Sequence, residues 1–209
     1  MQKQNETIWK SEADAWYRRN SEAPYSAEII SAFKFLHDSF LGQRDGLNVL
    51  EFGCSDGRNG RALEKFQINY TGVDPSDLAV QEGIARGLNL RRGMAQTTSF
   101  PKQFDLIILG FFLYLTPKTD WMGIVKNIDD HIGETGYIII KDFFSESYAE
   151  KNYSHDDNLK MHKFNFSKMF SWYPDYTEIY KSMTSTEPGE YSSNDYFVQT
   201  TVLKVSRNG

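Results

Sequence analysis

The chain has 209 residues with ordinary hydrophobic (40%) and charged (24%) fractions, which suits one globular domain and argues against intrinsic disorder. Its formal net charge of −5 disfavours binding to nucleic acid, and its single cysteine excludes an intramolecular disulfide or a cysteine metal cluster, so no metal site is expected. It has neither a secretory signal nor a run of about 18 apolar residues, so we expect a cytoplasmic protein without membrane contact.

Residues 1–42 are predicted to be helical, because Ile29, Ile30 and Phe33 recur at helical spacing. Strands and helices alternate from there on. The predicted strands are 47–52, 70–73, 88–92, 104–109 and 137–141, and the predicted helices between them are 58–66, 76–86 and 119–131. The segment 104–109 is almost entirely apolar, which is typical of a parallel strand that is covered on both faces.

The pattern changes after residue 142. Residues 143–171 are predicted to be partly helical, whereas 176–183 and 196–205 alternate apolar and polar residues as strands do. The sequence therefore predicts an α/β fold with a seven-stranded, mostly parallel sheet that ends in an antiparallel hairpin. We expect a single domain over 1–209, in which 1–42 is a helical extension, 47–142 binds the cofactor, and 143–209 carries the acceptor side and the last two strands.

The loop after the first strand, in the sequence VLEFGCSDGRNG at 49–60, is the most informative segment. In open α/β sheets, ligands bind at the carboxyl ends of the strands, where this loop lies. A dinucleotide site would need a glycine at the position of Ser55, and the carboxylates of Glu51 and Asp56 would repel a pyrophosphate. The loop instead favours a positively charged cofactor without phosphate, such as S-adenosylmethionine (SAM).

Asp74 ends the second predicted strand, about 20 residues after Gly53. An acid at this distance accepts hydrogen bonds from the ribose hydroxyls of a bound nucleoside. The alternative is an ordinary turn residue before Pro75. The loop and the acid together predict a SAM site, although either alone is a weak signal.

Four segments resemble motifs of class I SAM-dependent methyltransferases: VLEFGCSDGRNG, GVDPS, FDLIILGFFLYLTP and HIGETGYIIIKDF, over about residues 47–142. The resemblance implies a Rossmann-like class I methyltransferase fold and an enzyme that converts SAM to S-adenosylhomocysteine (SAH). It also implies that Glu51 lies near the methionine amino group and that Asp74 holds the ribose. The implied cofactor-binding residues are Glu51, Gly53, Cys54, Ser55, Asp56, Gly57, Asp74, Pro75, Met94, Ala95, Leu109, Gly110 and Phe111.

Two positions depart from the family pattern. Ser55 replaces a glycine that many members carry, and Met94 stands where many members have an aspartate that accepts from the adenine amino group. Both departures leave room for the cofactor, but we expect weaker affinity than is typical.

Two flanking segments, IWKSEADAWYRRN and HKFNFSKMFSWYPDYTEIY, resemble those of methylases associated with pseudaminic acid biosynthesis. This resemblance implies that the acceptor is the O or N atom of a sugar or nucleotide-linked sugar of surface-glycan biosynthesis. Two alternatives stay open: an enzyme that methylates a small acid or amine metabolite, and a non-catalytic SAM-binding partner protein. An NAD-dependent enzyme is disfavoured by Ser55 and Asp56.

A general base is needed only if the acceptor must lose a proton. The candidates are His155, Tyr114 and Asp142; their alternatives are an exposed loop residue, a core residue and a helix cap, respectively. A basic run near Phe164 predicts either a site for an acidic or phosphate-bearing acceptor or a solvated surface; it comprises Lys160, His162, Lys163 and Lys168. We expect a monomer or a homodimer.

Overall fold

The computed structural model describes residues 3–42, 44–185 and 197–207. Within them, nine strands follow each other along the chain. They are β1 (Asn48–Phe52), β2 (Asn69–Asp74), β3 (Leu90–Arg92), β4 (Phe104–Gly110), β5 (Ile132–Phe143), β6 (Ala149–Asn152), β7 (Lys160–Lys163), β8 (Tyr176–Ser185) and β9 (Phe197–Ser206).

Seven of these strands form one sheet in the order β3-β2-β1-β4-β5-β9-β8. The first five pair in parallel, and β9 pairs antiparallel with both β5 and β8. The predicted Rossmann-like methyltransferase architecture is therefore confirmed, including the antiparallel pair at the C-terminal end. Strand β5 is longer than the predicted 137–141, and the predicted first residue of the last strand, Tyr196, lies outside the described residues.

The described helices are α1 (Lys3–Thr7), α2 (Ala13–Asn20), α3 (Ala27–Leu36), α4 (Arg58–Leu63), α5 (Asp77–Ala85) and α6 (Trp121–His131). A π-helical turn (Ile8–Glu12) joins α1 to α2, so residues 3–20 form one continuous helical run. The predicted helical extension is divided after this run. Helix α3 starts anew because the Ser26 side chain accepts a hydrogen bond from the Ile29 backbone N–H and so caps its first turn.

Apolar side chains cover both faces of the sheet. In β4, Ile107 and Leu109 pack into a cluster with α6, whereas Leu106 and Ile108 pack into a second cluster with α3. This alternation follows from the two-residue period of a strand. It explains why the segment reads as continuously apolar.

The segment between β5 and β8 differs from the prediction. Instead of α-helix it contains the small two-stranded β6–β7 sheet and a 3₁₀ turn (Phe166–Phe170). Strand β7 lies against a second 3₁₀ turn (Leu113–Leu115) that follows β4. No helix in the described part of the chain is both long and apolar enough to span a bilayer.

Candidate functional site

A cavity opens at the edge of the sheet where β1, β2 and β4 end. It encloses about 760 Å³ of empty space, counting the part open to solvent. Its lining residues are Asn5, Ile8, Glu12, Ala13, Trp16, Gly53, Val73, Asp74, Pro75, Gly93, Met94, Ala95, Gln96, Gly110, Phe111, Phe112, Tyr114, Leu115 and Thr116. The ends of three parallel strands and the N-terminal helical run therefore build one site.

The turn after β1 forms the floor of this cavity. Gly53 has a positive φ of 72°, and its N–H donates to the Val73 carbonyl at 2.8 Å. A Cβ atom at Gly53 would lie 2.7 Å from Cδ1 of Phe112, which is too close. Both the backbone angle and the Phe112 ring therefore require glycine here.

Asp74 joins this turn to the start of α5. One of its carboxylate oxygens accepts from the Ser55 N–H and the other from the Ser76 N–H, each at 2.8 Å. Burial raises the pKa of Asp74 to about 6, although the two backbone hydrogen bonds lower it. Each oxygen keeps a lone pair for a further donor, so the carboxylate can accept two hydroxyl groups.

Glu51 lies below the floor and does not line the cavity. Its two oxygens accept from Asn59 Nδ2 at 2.7 Å and from the Tyr70 hydroxyl at 2.6 Å. Burial raises the pKa of Glu51 to about 7 despite these hydrogen bonds. Because each oxygen already holds one donor in the packing of β1 against α4 and β2 and Glu51 is outside the lining, the expected contact between Glu51 and a methionine amino group stays a prediction.

Asp56 also points away from the cavity. It forms ion pairs with Arg58 at 2.8 Å, Arg86 at 2.9 Å and Arg61 at 3.4 Å. The carboxylates of Asp56 and Glu51 are thus neutralised or buried inside the protein. This corrects the expectation that they set the charge preference of the site.

The thirteen predicted cofactor-binding residues divide into two groups. Gly53, Asp74, Pro75, Met94, Ala95, Gly110 and Phe111 line the cavity, whereas Glu51, Cys54, Ser55, Asp56, Gly57 and Leu109 lie outside its lining. Ser55 contributes through its backbone, because its N–H holds Asp74. Cys54 is buried, and burial raises the pKa of its thiol well above the usual value, which fits a packing residue.

The N-terminal helical run forms the roof of the cavity. Asp14 accepts from the Ser76 hydroxyl at 2.7 Å and from the Leu78 N–H at 3.1 Å, which fastens the run to α5. The Arg92 guanidinium donates to the Trp9 carbonyl at 2.7 Å and lies over the Trp9 ring. The sequence predicts a helical extension and shows a family resemblance in IWKSEADAWYRRN, but none of these residues was placed among the predicted site residues.

The segment after β4 forms one wall. A Cβ atom at Gly110 would lie 2.6 Å from Oε1 of Glu51, so a side chain here would require the Glu51 carboxylate to move. Phe111 has a positive φ of 63°, and its N–H donates to the Lys141 carbonyl. Such a conformation is costly for an aromatic residue and is typical of functional sites. It brings the Phe111 ring to the cavity.

Asp142 holds this wall from behind. One carboxylate oxygen accepts from the Tyr114 N–H at 3.3 Å and the other from the Phe143 N–H at 2.7 Å. Burial raises the pKa of Asp142 to about 7. Asp142 does not line the cavity, so the geometry supports a structural role and not that of the predicted base.

The other two predicted bases differ in position. His155 is exposed, packs its ring edge against Tyr153 and does not line the cavity. Tyr114 does line it, and its hydroxyl accepts from Nε1 of Trp16 at 3.2 Å. Burial raises the pKa of Tyr114 well above its usual value, so this hydroxyl stays protonated at neutral pH. Tyr114 can therefore orient an acceptor but is a poor base.

The far end of the cavity, beside Met94, contains two side-chain amides. Both Asn5 Nδ2 and Gln96 Nε2 donate to Oδ2 of Asp120. Because a carboxylate only accepts, this contact fixes the orientation of the Asn5 amide. Asn5 Oδ1 is buried and has no hydrogen-bond partner within the described residues. Because Asn5 lines the cavity, this unpartnered acceptor lies beside that end of the site.

Comparison with known proteins identifies the family. The family model described as "Methyltransferase domain" matches residues 17–184. The chain belongs to this family. No curated protein matches the sequence. The prediction of a methyltransferase is confirmed, while the match reveals nothing about the pseudaminic acid subfamily.

Solved methyltransferases have the same fold. A 1,6-didemethyltoxoflavin-N1-methyltransferase from Burkholderia thailandensis, with its substrate and SAH bound, has a TM-score of 0.68 at 13% identity, over 97% of this chain and 85% of that one. The N-methyltransferase NodS from Bradyrhizobium japonicum, in complex with SAH, gives 0.64 at 17% identity, over 96% and 95%. A SAM-dependent methyltransferase from Methanosarcina mazei gives 0.64 at 15%, over 83% and 98%. These findings agree with SAM as the predicted cofactor.

Proposed function

We propose that this methyltransferase transfers the methyl group of SAM to an O or N atom of a small acceptor inside the described cavity. One observation carries the proposal: the Gly53 turn and the Asp74 carboxylate open on the same enclosed space, beneath the N-terminal helical run. A glycine turn with an acid at the end of the next strand is the arrangement that holds a nucleoside in sheets of this type.

The residues present fit SAM. Asp74 would accept from the ribose hydroxyls, Gly53 would lie beneath the methionine portion, and Pro75 and Met94 would contact the adenine. The unpartnered Oδ1 of Asn5 supports an adenine contact, because the adenine amino group is a donor that would satisfy it. Asn5 would then accept from the adenine amino group, as the aspartate does that many family members have at the position of Met94.

SAM supplies a methyl group activated by a positively charged sulfur, so the chain's own contribution is position and exclusion of water. The roof and the aromatic wall at Phe111 and Phe112 enclose the reacting atoms. Tyr114, held by Trp16 and by Asp142, gives the acceptor a fixed hydroxyl to bind.

The charge of the cavity limits the acceptor. Its lining contains the carboxylates of Glu12 and Asp74 and, among the described residues, no Lys, Arg or His. A phosphate or carboxylate of the acceptor would find no Lys, Arg or His in this lining to pair with. We therefore propose a sugar as the acceptor, as the flanking segments suggest. Any nucleotide attached to it would lie outside the cavity.

The second candidate acceptor is a small amine metabolite, which the same negative lining favours over a small acid. Both candidates use the division of the chain predicted from the sequence into the extension 1–42, the cofactor-binding core 47–142 and the acceptor side 143–209. Within the extension, the helical run 3–20 supplies the roof.

The experiment is a panel of sugars, nucleotide-linked sugars, amines and small acids, each incubated with the protein and SAM and analysed by mass spectrometry for a gain of one methyl group. The proposal predicts methylation within the sugars or amines. Exclusive methylation of acids would contradict it. Tight SAM binding without any methylated product would favour the non-catalytic SAM-binding protein.

A further inference from the structure

Glu12 is the buried carboxylate of the roof that no prediction used. Glu12 is only 4% exposed to solvent, yet it lines the cavity. One of its oxygens, Oε1, accepts from the Arg19 guanidinium and from the Tyr153 hydroxyl, the latter at 2.9 Å. These two donors fix the carboxylate through that oxygen. No donor among the described residues is bonded to the other oxygen, Oε2, which is therefore open to a ligand.

The sheet order indicates which end of the cavity Glu12 occupies. Asp74 stands at the end of β2, the Gly53 turn follows β1, and the next strand in the sheet is β4. Glu12 is bonded to Tyr153, which follows β6, and Tyr153 in turn lies beside Tyr114, which follows β4. Glu12 is therefore on the β4 side, beyond the residues that would hold the ribose and methionine portions.

The surroundings of Glu12 suit a cation. The rings of Trp16, Phe111, Phe112 and Tyr114 line the same cavity. Aromatic faces and a carboxylate both attract an ammonium group, and enclosure strengthens both attractions. Arg19 is the one cation bonded to Glu12 in the described part of the chain; it lies outside the lining and holds Oε1.

We propose that the acceptor atom is an amine nitrogen and that Glu12 binds the ammonium group and removes its proton. This proposal rests on the proposed function, which allows an O or an N acceptor atom, and selects the N atom. The ammonium transfers one proton to Glu12 Oε2 and becomes a neutral amine. The nitrogen lone pair then forms the new N–C bond while the C–S bond breaks and its electron pair stays on sulfur. The methylated product leaves as a cation, and Glu12 returns its proton to water.

In this mechanism Glu12 is a catalytic residue, since it touches the acceptor, whereas Arg19 and Tyr153 are positioning residues. The three side chains connect the roof to the segment after β5. Residues Glu12, Trp16 and Arg19 are spaced four and three apart, so they share one face of the helical run. Glu12 and Trp16 of that face line the cavity.

Sinefungin tests the proposal without knowledge of the acceptor. In this SAM analogue a carbon bearing an amine replaces the sulfonium and its methyl group, so its ammonium takes the position of the transferred methyl group, beside the place of the acceptor atom. Binding of sinefungin and SAH is measured by calorimetry at pH 7.5 for the wild type, for Glu12→Gln, and for the control Glu6→Gln. Glu6 is a partly exposed acid of the same helical run.

We expect the wild type and the control to bind sinefungin at least about tenfold more tightly than SAH, as a charge-assisted hydrogen bond allows. Glu12→Gln should bind the two ligands within about threefold of each other and keep its affinity for SAH. If the preference for sinefungin is unchanged in Glu12→Gln, or if both affinities fall in parallel, Glu12 does not face the transferred methyl group and the proposal is wrong.

Circular dichroism and thermal melting establish whether Glu12→Gln is folded. If it is not, the wild type alone decides, because equal affinities for sinefungin and SAH overturn the proposal. Failure of the wild type to bind either ligand is a separate outcome that overturns the proposed function as well. A second measurement compares matched acceptors that differ only in an amine or a hydroxyl group. Methylation of the hydroxyl members alone contradicts an amine acceptor.

Discussion

Replacement of Asp74 by alanine should weaken the binding of SAH by about a hundredfold. Each oxygen of this carboxylate already accepts one backbone N–H, from Ser55 and from Ser76, so one lone pair per oxygen is available to a ribose hydroxyl. Two hydrogen bonds to a charged acceptor contribute about 1.5–3 kcal/mol each when measured singly. Since they share one carboxylate, we expect roughly 3 kcal/mol together, which is about two factors of ten in Kd.

The assay is titration calorimetry with SAH and with its 2′-deoxy analogue, on the wild type, on Asp74→Ala and on the control Asp77→Ala, which removes an exposed acid from the first turn of α5. The wild type should discriminate against the deoxy analogue and Asp74→Ala should not. Because burial raises the pKa of Asp74 to about 6, wild-type affinity should also fall below about pH 6. Unchanged SAH affinity in Asp74→Ala, or an equal loss for both ligands, would refute the ribose assignment.

Three further predictions concern other parts of the site. Gly53→Val should abolish SAH binding, because its Cβ would meet Phe112 at 2.7 Å and its φ is positive, so the floor of the cavity would have to move; measurable SAH affinity in this variant would contradict the assigned role of the turn, and circular dichroism checks that the chain is folded. Burial raises the pKa of Glu51 from 4.5 to about 7. Its contribution to the free energy of unfolding is therefore full below pH 4.5, and about 3 kcal/mol of it is lost as the pH rises through 7. The melting temperature of Glu51→Gln should therefore fall less between pH 5 and pH 8 than that of the wild type, and an equal fall would show that the carboxylate is not perturbed. His155→Ala should keep both SAH affinity and turnover, since His155 is exposed and outside the cavity lining; a large loss of turnover would restore it as the base.

The sheet could be predicted because its signals are local. The apolar segment of β4, the glycine turn at Gly53 and the acid at Asp74 each depend on the two-residue period of a strand or on one backbone angle. The predicted cofactor residues that line the cavity come from these same segments. By contrast, the small β6–β7 sheet was missed because its strands are four residues each and mostly polar.

The roof could not be predicted, because its position depends on contacts between residues far apart in sequence. Asp14 bonds to Ser76, and Glu12 to Tyr153, and neither pairing leaves a trace in local composition. Glu51 is a different case. Glu51 lies two residues after Val49 in the same strand, and Val49 packs toward α3. Because side chains two residues apart in a strand point to the same face, the sequence already indicates that Glu51 points to the α3 side, beneath the floor.

The central claim is that the cavity under the N-terminal helical run binds a positively charged nucleoside without phosphate. Titration calorimetry of the wild type with SAM, SAH and NAD tests it directly. We predict saturable heat with SAM and with SAH at one site per chain, and none with NAD. Saturation by NAD, or the absence of heat with both SAM and SAH from protein that melts cooperatively, would contradict the account.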